Sequence, residues 1–144
     1  MYEEMEPIQF GDLVFKYYSY IVFPYRKYGD IVDLQDQSKK EKHILSEKMK
    51  EYICRQIMRC TLILHSYGMA HLDIKPENFI INDDLTISFI DFGHAQRIDS
   101  KIESIVGTKR YVAPEINYFK SQDVSSEKAD IYSLGATLYA IMNL

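Results

Sequence analysis

A chain of 144 residues, 47% apolar and 13% aromatic, is long enough for one domain with a real core and short for two. Its 17 basic and 21 acidic side chains leave a net charge of −4 with no basic stripe, which argues against a nucleic-acid partner. No apolar run reaches the ~18 residues of a membrane span, and the acidic first residues are no signal peptide. Cys54 and Cys60, too few and wrongly spaced for a zinc site or disulfide framework, read as small buried hydrophobes in a reducing compartment. Cytosol or nucleus is therefore the expected location.

Residues 8–15 and 17–23 are two apolar-aromatic runs, the first interrupted by Gly11-Asp12, and read as a pair of strands. Pro24 ends the second, because a proline has no N–H to give to a ladder. Residues 25–29 connect to a short helix expected over 31–37. Residues 39–42 form a charged turn with the character of a solvated surface. From Ser46 the pattern is helical: Met49, Ile53, Ile57, Cys60 and Leu64 recur at intervals of four or three, with Lys50, Glu51, Arg55 and Arg59 largely elsewhere. Ser46 suits the N-cap and Gly68 the exit. Phe79–Ile81 and residues 86–90 read as short strands joined by a turn at Asn82-Asp83-Asp84. Residues 93–109 lack periodicity and are expected to form a loop. A second helix starts near Ser126 and carries Ile131, Leu134, Leu138 and Ile141 on one face. No internal repeat or low-complexity linker interrupts the chain.

Between the first long helix and the strands lies His71-Leu72-Asp73-Ile74-Lys75-Pro76-Glu77-Asn78. It offers an acid, a cation and a metal-liganding amide, with Pro76 stiffening the loop. Asp91-Phe92-Gly93 begins 18 residues after Asp73, and Glu115 closes Ala113-Pro114-Glu115 24 residues after Asp91. Taken singly, each reads as an acidic surface loop or a stray turn. Together, in this order and with strands between them, they resemble the catalytic half of a eukaryotic-type serine/threonine protein kinase. The resemblance implies an α+β, protein-kinase-like fold covering residues 1–144 in part: an N-lobe strand remnant at 1–23, a hinge at 24–30 and a partial C-lobe from 31 to 144.

Phosphoryl transfer asks a protein for positioning and for charge against the phosphates. By the resemblance, Asp73 is the catalytic base and Lys75 stands against the transferred phosphoryl group. Asn78 and Asp91 supply oxygen ligands suited to Mg²⁺. Gly107-Thr108 with residues 111–115 looks like the substrate-binding end of an activation segment. Lys75 and Thr108 are the serine/threonine-kinase variants, in which the threonine hydroxyl bridges acid and lysine. His71 and Phe92 match positions that stack in the core beneath the site. Asp130 matches the buried helix acid that holds the catalytic loop's backbone. Residues 21–30 resemble the adenine-gripping hinge: Phe23 guards the rear pocket, Pro24 offers its carbonyl, and the Arg26 backbone supplies donor and acceptor. Asp30 then meets the ribose and Ile80 lies beneath the base. The implied ligands are ATP and Mg²⁺, and the implied partner is a protein bearing a serine or threonine hydroxyl.

The pattern also departs from the family. Leu72 stands where many kinases carry an arginine, so phosphorylation at Ser100 or Ser104 is not expected to order the loop through that residue. Nothing before residue 21 resembles a glycine-rich phosphate loop, and Lys16, eight residues before Pro24, is too close to the hinge to be the ATP-binding lysine. Weak turnover or none is expected of the chain alone, and a partner chain is expected to cover its exposed ends. The alternative reading is a non-catalytic pseudokinase acting as a binding or scaffold module. A choline- or aminoglycoside-type phosphotransferase shares the His-x-Asp loop and the later Asp, but not Lys75 at this spacing or the Gly-Thr and Ala-Pro-Glu pair.

Overall fold

The computed structural model describes residues 8–10, 12–15, 25–41, 45–102, 104–117 and 124–143. The first apolar run folds back on itself. Ile8–Phe10 (β1) pairs antiparallel with Leu13–Phe15 (β2), placing Phe10 opposite Leu13. The partner of 8–10 thus lies inside the same run, with Asp12 in a turn just before β2. Residues 17–23, expected to form the second strand, lie outside the described residues.

Ile31–Lys40 (α1) starts at a reciprocal cap. The Asp30 carboxylate accepts the Asp33 N–H at 2.9 Å, and the Asp33 carboxylate accepts the Asp30 N–H at 3.1 Å. The helix runs three residues beyond the expected 31–37, taking in Lys39 and Lys40, whose cations suit a helix C-terminus. Both lysines are exposed, as a solvated charged surface requires.

Glu47–Ser66 (α2) is capped by Ser46, whose hydroxyl accepts the Met49 N–H at 3.3 Å, and it exits through Gly68 at φ +70°. Its inward face is rotated from the expected one. Ile53, Cys54, Ile57 and Thr61 are buried, while Met49 is 45% exposed and Lys50 only 4%. Met69–Ala70 (β3) then leads into the His71 loop.

Phe79–Ile81 (β4) and Ile87–Phe89 (β5) form the expected antiparallel pair, with Phe79 opposite Phe89. Asp30 bridges to Ile80, and the Gly29 carbonyl accepts the Ile81 N–H at 3.0 Å, which fastens the 25–30 connector to β4. Gln96–Arg97 (β6) pairs with β3 inside the stretch expected to be pure loop. Two residues carry no period, so the sequence pattern could not disclose this strand.

Pro114–Asn117 (α3) is one turn, and Ser126–Met142 (α4) follows a Ser125 cap. The expected apolar face of α4 is only partly inside. Ile141 is buried and Leu134 and Leu138 pack against the core, but Ile131 is 54% exposed. Ser126, Ala129, Asp130, Ser133 and Thr137 are buried instead. Small side chains let α4 lie close to its neighbours, and a hydrophobicity period does not see them.

Lys50 explains its own burial. Its ammonium donates to the Met142 carbonyl at 3.3 Å and pairs with Glu47 at 3.2 Å. It thereby serves the end of α4, where carbonyls lack intrahelical partners. One core cluster joins α1, α2, β4, β5 and Ile141; a second gathers Ala70, Leu72, Ile102, Ala113, Ile116 and Ala129. Among the described residues no helix is long and apolar enough to cross a membrane.

Candidate active site

The His71 loop is hung from α4 by one carboxylate. Fully buried Asp130 accepts the His71 N–H at 2.7 Å and the Leu72 N–H at 2.8 Å, and its Oδ2 also meets His65 Nε2 at 2.9 Å. These bonds hold Leu72 at φ +62°, a left-handed conformation unusual for a leucine. Such a conformation costs about 1–3 kcal/mol. Two hydrogen bonds to a charged acceptor, about 1.5–3 kcal/mol each, outweigh it. No sequence motif marked His65; a lone basic residue in the last turn of a helix has too many other uses.

His71 is a strut between two loops. Its Nε2 lies 3.2 Å from the Ile90 carbonyl, and its Nδ1 accepts the Asp73 N–H at 3.4 Å. Burial pushes its pKa below the ordinary value, against the pull of the Ile90 carbonyl and of Asp130, Asp73 and Asp91. The neutral ring with its proton on Nε2 satisfies both partners. The ring stacks on Phe89 with centroids 4.4 Å apart. The expectation that His71 and Phe92 both stack in the core is met by His71 alone. Phe92 is 52% exposed and tilted at 5.2 Å from His71, and it is the partly buried Phe89 of β5 that stacks on the ring and packs against the core.

Asp73, nearly buried, is surrounded by donors. Lys75 Nζ donates to its Oδ2 at 2.6 Å and to Thr108 Oγ1 at 2.8 Å, while the Thr108 hydroxyl donates to Asp73 Oδ1 at 2.7 Å. The three groups close a triangle of three hydrogen bonds, two donated by the Lys75 ammonium and one by the Thr108 hydroxyl. Asn78 Nδ2 adds bonds to the Asp73 carbonyl at 2.7 Å and to Oδ2 at 3.1 Å. Burial alone would push the Asp73 carboxyl up. The hydrogen bonds from Lys75 and Thr108, the Lys75 charge and the Asn78 amide prevail and leave it below the usual carboxylate range.

The β4–β5 pair brings Asn78 and Asp91 to one end. Its ladder continues through the Ile90 N–H, which donates to the Asn78 carbonyl at 3.0 Å. Asp91 follows at φ +58°, exposed, with Oδ1 accepting the Gly93 N–H at 3.1 Å. Because Asn78 Nδ2 faces Asp73, its Oδ1 lies on the far side of the amide. An amide oxygen and a carboxylate are hard donors that fit Mg²⁺. Among the described residues no cluster of three or more His, Cys, Asp or Glu could hold a metal by itself. Mg²⁺ commonly takes one or two carboxylates and completes its shell with water and substrate phosphates.

Of the residues expected at an adenine end, three are described. Asp30 and Ile80 are brought side by side, with one Asp30 oxygen committed to the α1 cap. The Arg26 carbonyl accepts the Gly29 N–H at 3.2 Å and has one lone pair remaining. Phe23 and Pro24 lie outside the described residues.

Comparison with known proteins matches residues 8–144 to the family described as protein kinase domain. The chain is 34% identical over 131 residues to the serine/threonine-protein kinase cds1 of Schizosaccharomyces pombe, covering 85% of this chain and 27% of that protein. It is 37% identical over 102 residues to the maternal embryonic leucine zipper kinase of Xenopus laevis, covering 68% of this chain and 15% of that protein. It is 34% identical over 125 residues to the serine/threonine-protein kinase chk-2 of Caenorhabditis elegans, covering 85% of this chain and 26% of that protein. The chain therefore spans about a quarter or less of the length of these relatives.

Proposed function

This chain belongs to the protein kinase domain family, and we propose that its chemistry is transfer of the γ-phosphoryl group of ATP to a serine or threonine hydroxyl of a protein. The observation that carries the reading is the closed triangle of Asp73, Lys75 and Thr108. Two of the relatives bear serine/threonine in their names, which supports the choice of acceptor.

An Asp73 carboxyl held below its ordinary range is ionised at neutral pH and can take the proton of the attacking hydroxyl. As that oxygen forms its bond to the γ-phosphorus, the bond to the bridging oxygen breaks and ADP leaves. The Lys75 ammonium stands beside the acid to meet charge on the phosphoryl group, and Thr108 fixes the spacing of the two. Asn78 and Asp91 would hold Mg²⁺, which when bound neutralises phosphate charge. Phe23, Pro24, Arg26, Asp30 and Ile80 are assigned to the adenosine end, supported by the pairing of Asp30 with Ile80.

The test is incorporation of radiolabelled phosphoryl from ATP with Mg²⁺ into a general protein substrate. Wild type is expected to exceed Asp73→Asn by roughly 10²–10⁴-fold, the usual worth of a positioned acid–base group, and to exceed Asp91→Ala. Equal incorporation in all three, or none in any, would overturn the assignment.

A further inference from the structure

Thr108 reaches Asp73 from 35 residues away, and between β5 and Thr108 the only regular element among the described residues is β6. Something other than secondary structure must seat it. The residue before it makes the closest approach. Gly107 sits at φ +94° against the carbonyl of Leu72, so near that a Cβ added there would lie 2.7 Å from that oxygen. Neither the angle nor the space admits a side chain.

Leu72 is fixed in turn by Asp130, and its side chain, 4% exposed, sits in the second core cluster. The apolar groups in that cluster come from both sides of Thr108: Ile102 and Val106 before it, Val112 and Ala113 after it. The cations of the stretch do not do this work. Lys109 and Arg110 are exposed, and the Arg97 guanidinium is spent on Asp99 at 3.0 and 3.1 Å.

We propose that Leu72 and Gly107 are positioning residues: their backbone contact and the apolar cluster seat Thr108 on Asp73 and Lys75 without any charged modification of the intervening segment. The role given to Thr108 rests on the proposed phosphoryl transfer; the seating itself does not.

Amide hydrogen exchange tests it, because the Tyr111 and Val112 N–H groups both donate to the Thr108 carbonyl, at 2.8 and 2.9 Å. In unmodified protein these two amides are expected to exchange slowly. Gly107→Ala and Leu72→Ala should each speed them by about tenfold or more, while amides in the middle of α2 keep wild-type rates. Leu72→Met, which conserves volume, should restore slow exchange, and Ser100→Ala/Ser104→Ala should leave it unchanged. Should Gly107→Ala fail to fold, the Leu72→Ala and Leu72→Met pair carries the test. The proposal is overturned if exchange at Tyr111 and Val112 is already fast in unmodified wild type. It is equally overturned if the variants speed α2 by the same factor, or if Leu72→Met behaves like Leu72→Ala. Exchange is read without ATP, so an inactive chain would sink the phosphoryl-transfer reading and leave this one standing.

Discussion

Replacing Asp130 by alanine should be among the most destabilising single changes in the described chain. The carboxylate is fully buried and accepts the His71 and Leu72 N–H groups at 2.7 and 2.8 Å. Alanine leaves two buried N–H groups without an acceptor, at about 1–3 kcal/mol each. Release of the left-handed Leu72 returns part of the ~1–3 kcal/mol stored there. The net expectation is a loss of about 2–5 kcal/mol, against a typical total stability of about 5–15 kcal/mol. Asp130→Asn keeps one accepting oxygen and should lose roughly half as much. Urea denaturation measures both, as a lower midpoint with unchanged slope. A loss under about 1 kcal/mol for Asp130→Ala, or the same loss for both variants, would refute the reasoning.

Thr108→Ala removes one of the bonds that hold the Asp73 carboxyl low and should let it rise toward its ordinary 3.8, whereas Thr108→Ser keeps the hydroxyl. Carboxyl-carbon NMR titration distinguishes them, and identical titrations would contradict the triangle. His71 gives the pH dependence a sign. Its folded pKa lies below the ordinary 6.5, so its contribution to stability is complete above pH 6.5 and is lost as pH falls from there through the lowered folded value. Asp73 contributes in the same direction only below its ordinary 3.8. Urea titrations between pH 8 and 5 should show stability falling with acid, with a smaller slope in His71→Asn; equal slopes would remove His71 from the account. Lys50→Met keeps the buried stem and loses the cation at the end of α4, so a cost near ~0.3–1 kcal/mol is expected. Lys50→Ala should cost more, and the reverse order would show that packing of the stem is unimportant.

The parts of the molecule that were legible beforehand carry strong local signals. Ser46 and Gly68 bound α2 because capping chemistry is local, and the Asn82-Asp83-Asp84 turn announces the β4–β5 pair. Asp73, Lys75, Asn78 and Thr108 were legible as a set only through a resemblance, since nothing in their spacing states that residues 35 apart will touch. What stayed hidden depends on tertiary packing. Lys50 turns inward because a carbonyl 92 residues away needs a donor. Ile131 turns outward because small residues face the neighbours of α4. Residues 8–15 looked like one interrupted strand and hold two short strands paired with each other.

Asn78 and Asp91, at one end of the β4–β5 pair and next to Asp73, are the residues proposed to share one cation. Paramagnetic broadening by Mn²⁺, used in place of Mg²⁺ and added with ATP, reads that arrangement directly. Amide signals at Asn78 and Asp91 should broaden first and at the same Mn²⁺ concentration, and Asp91→Ala should abolish the effect at Asn78. Broadening at Asp91 that leaves Asn78 sharp, or broadening at Asn78 that survives Asp91→Ala, would contradict it.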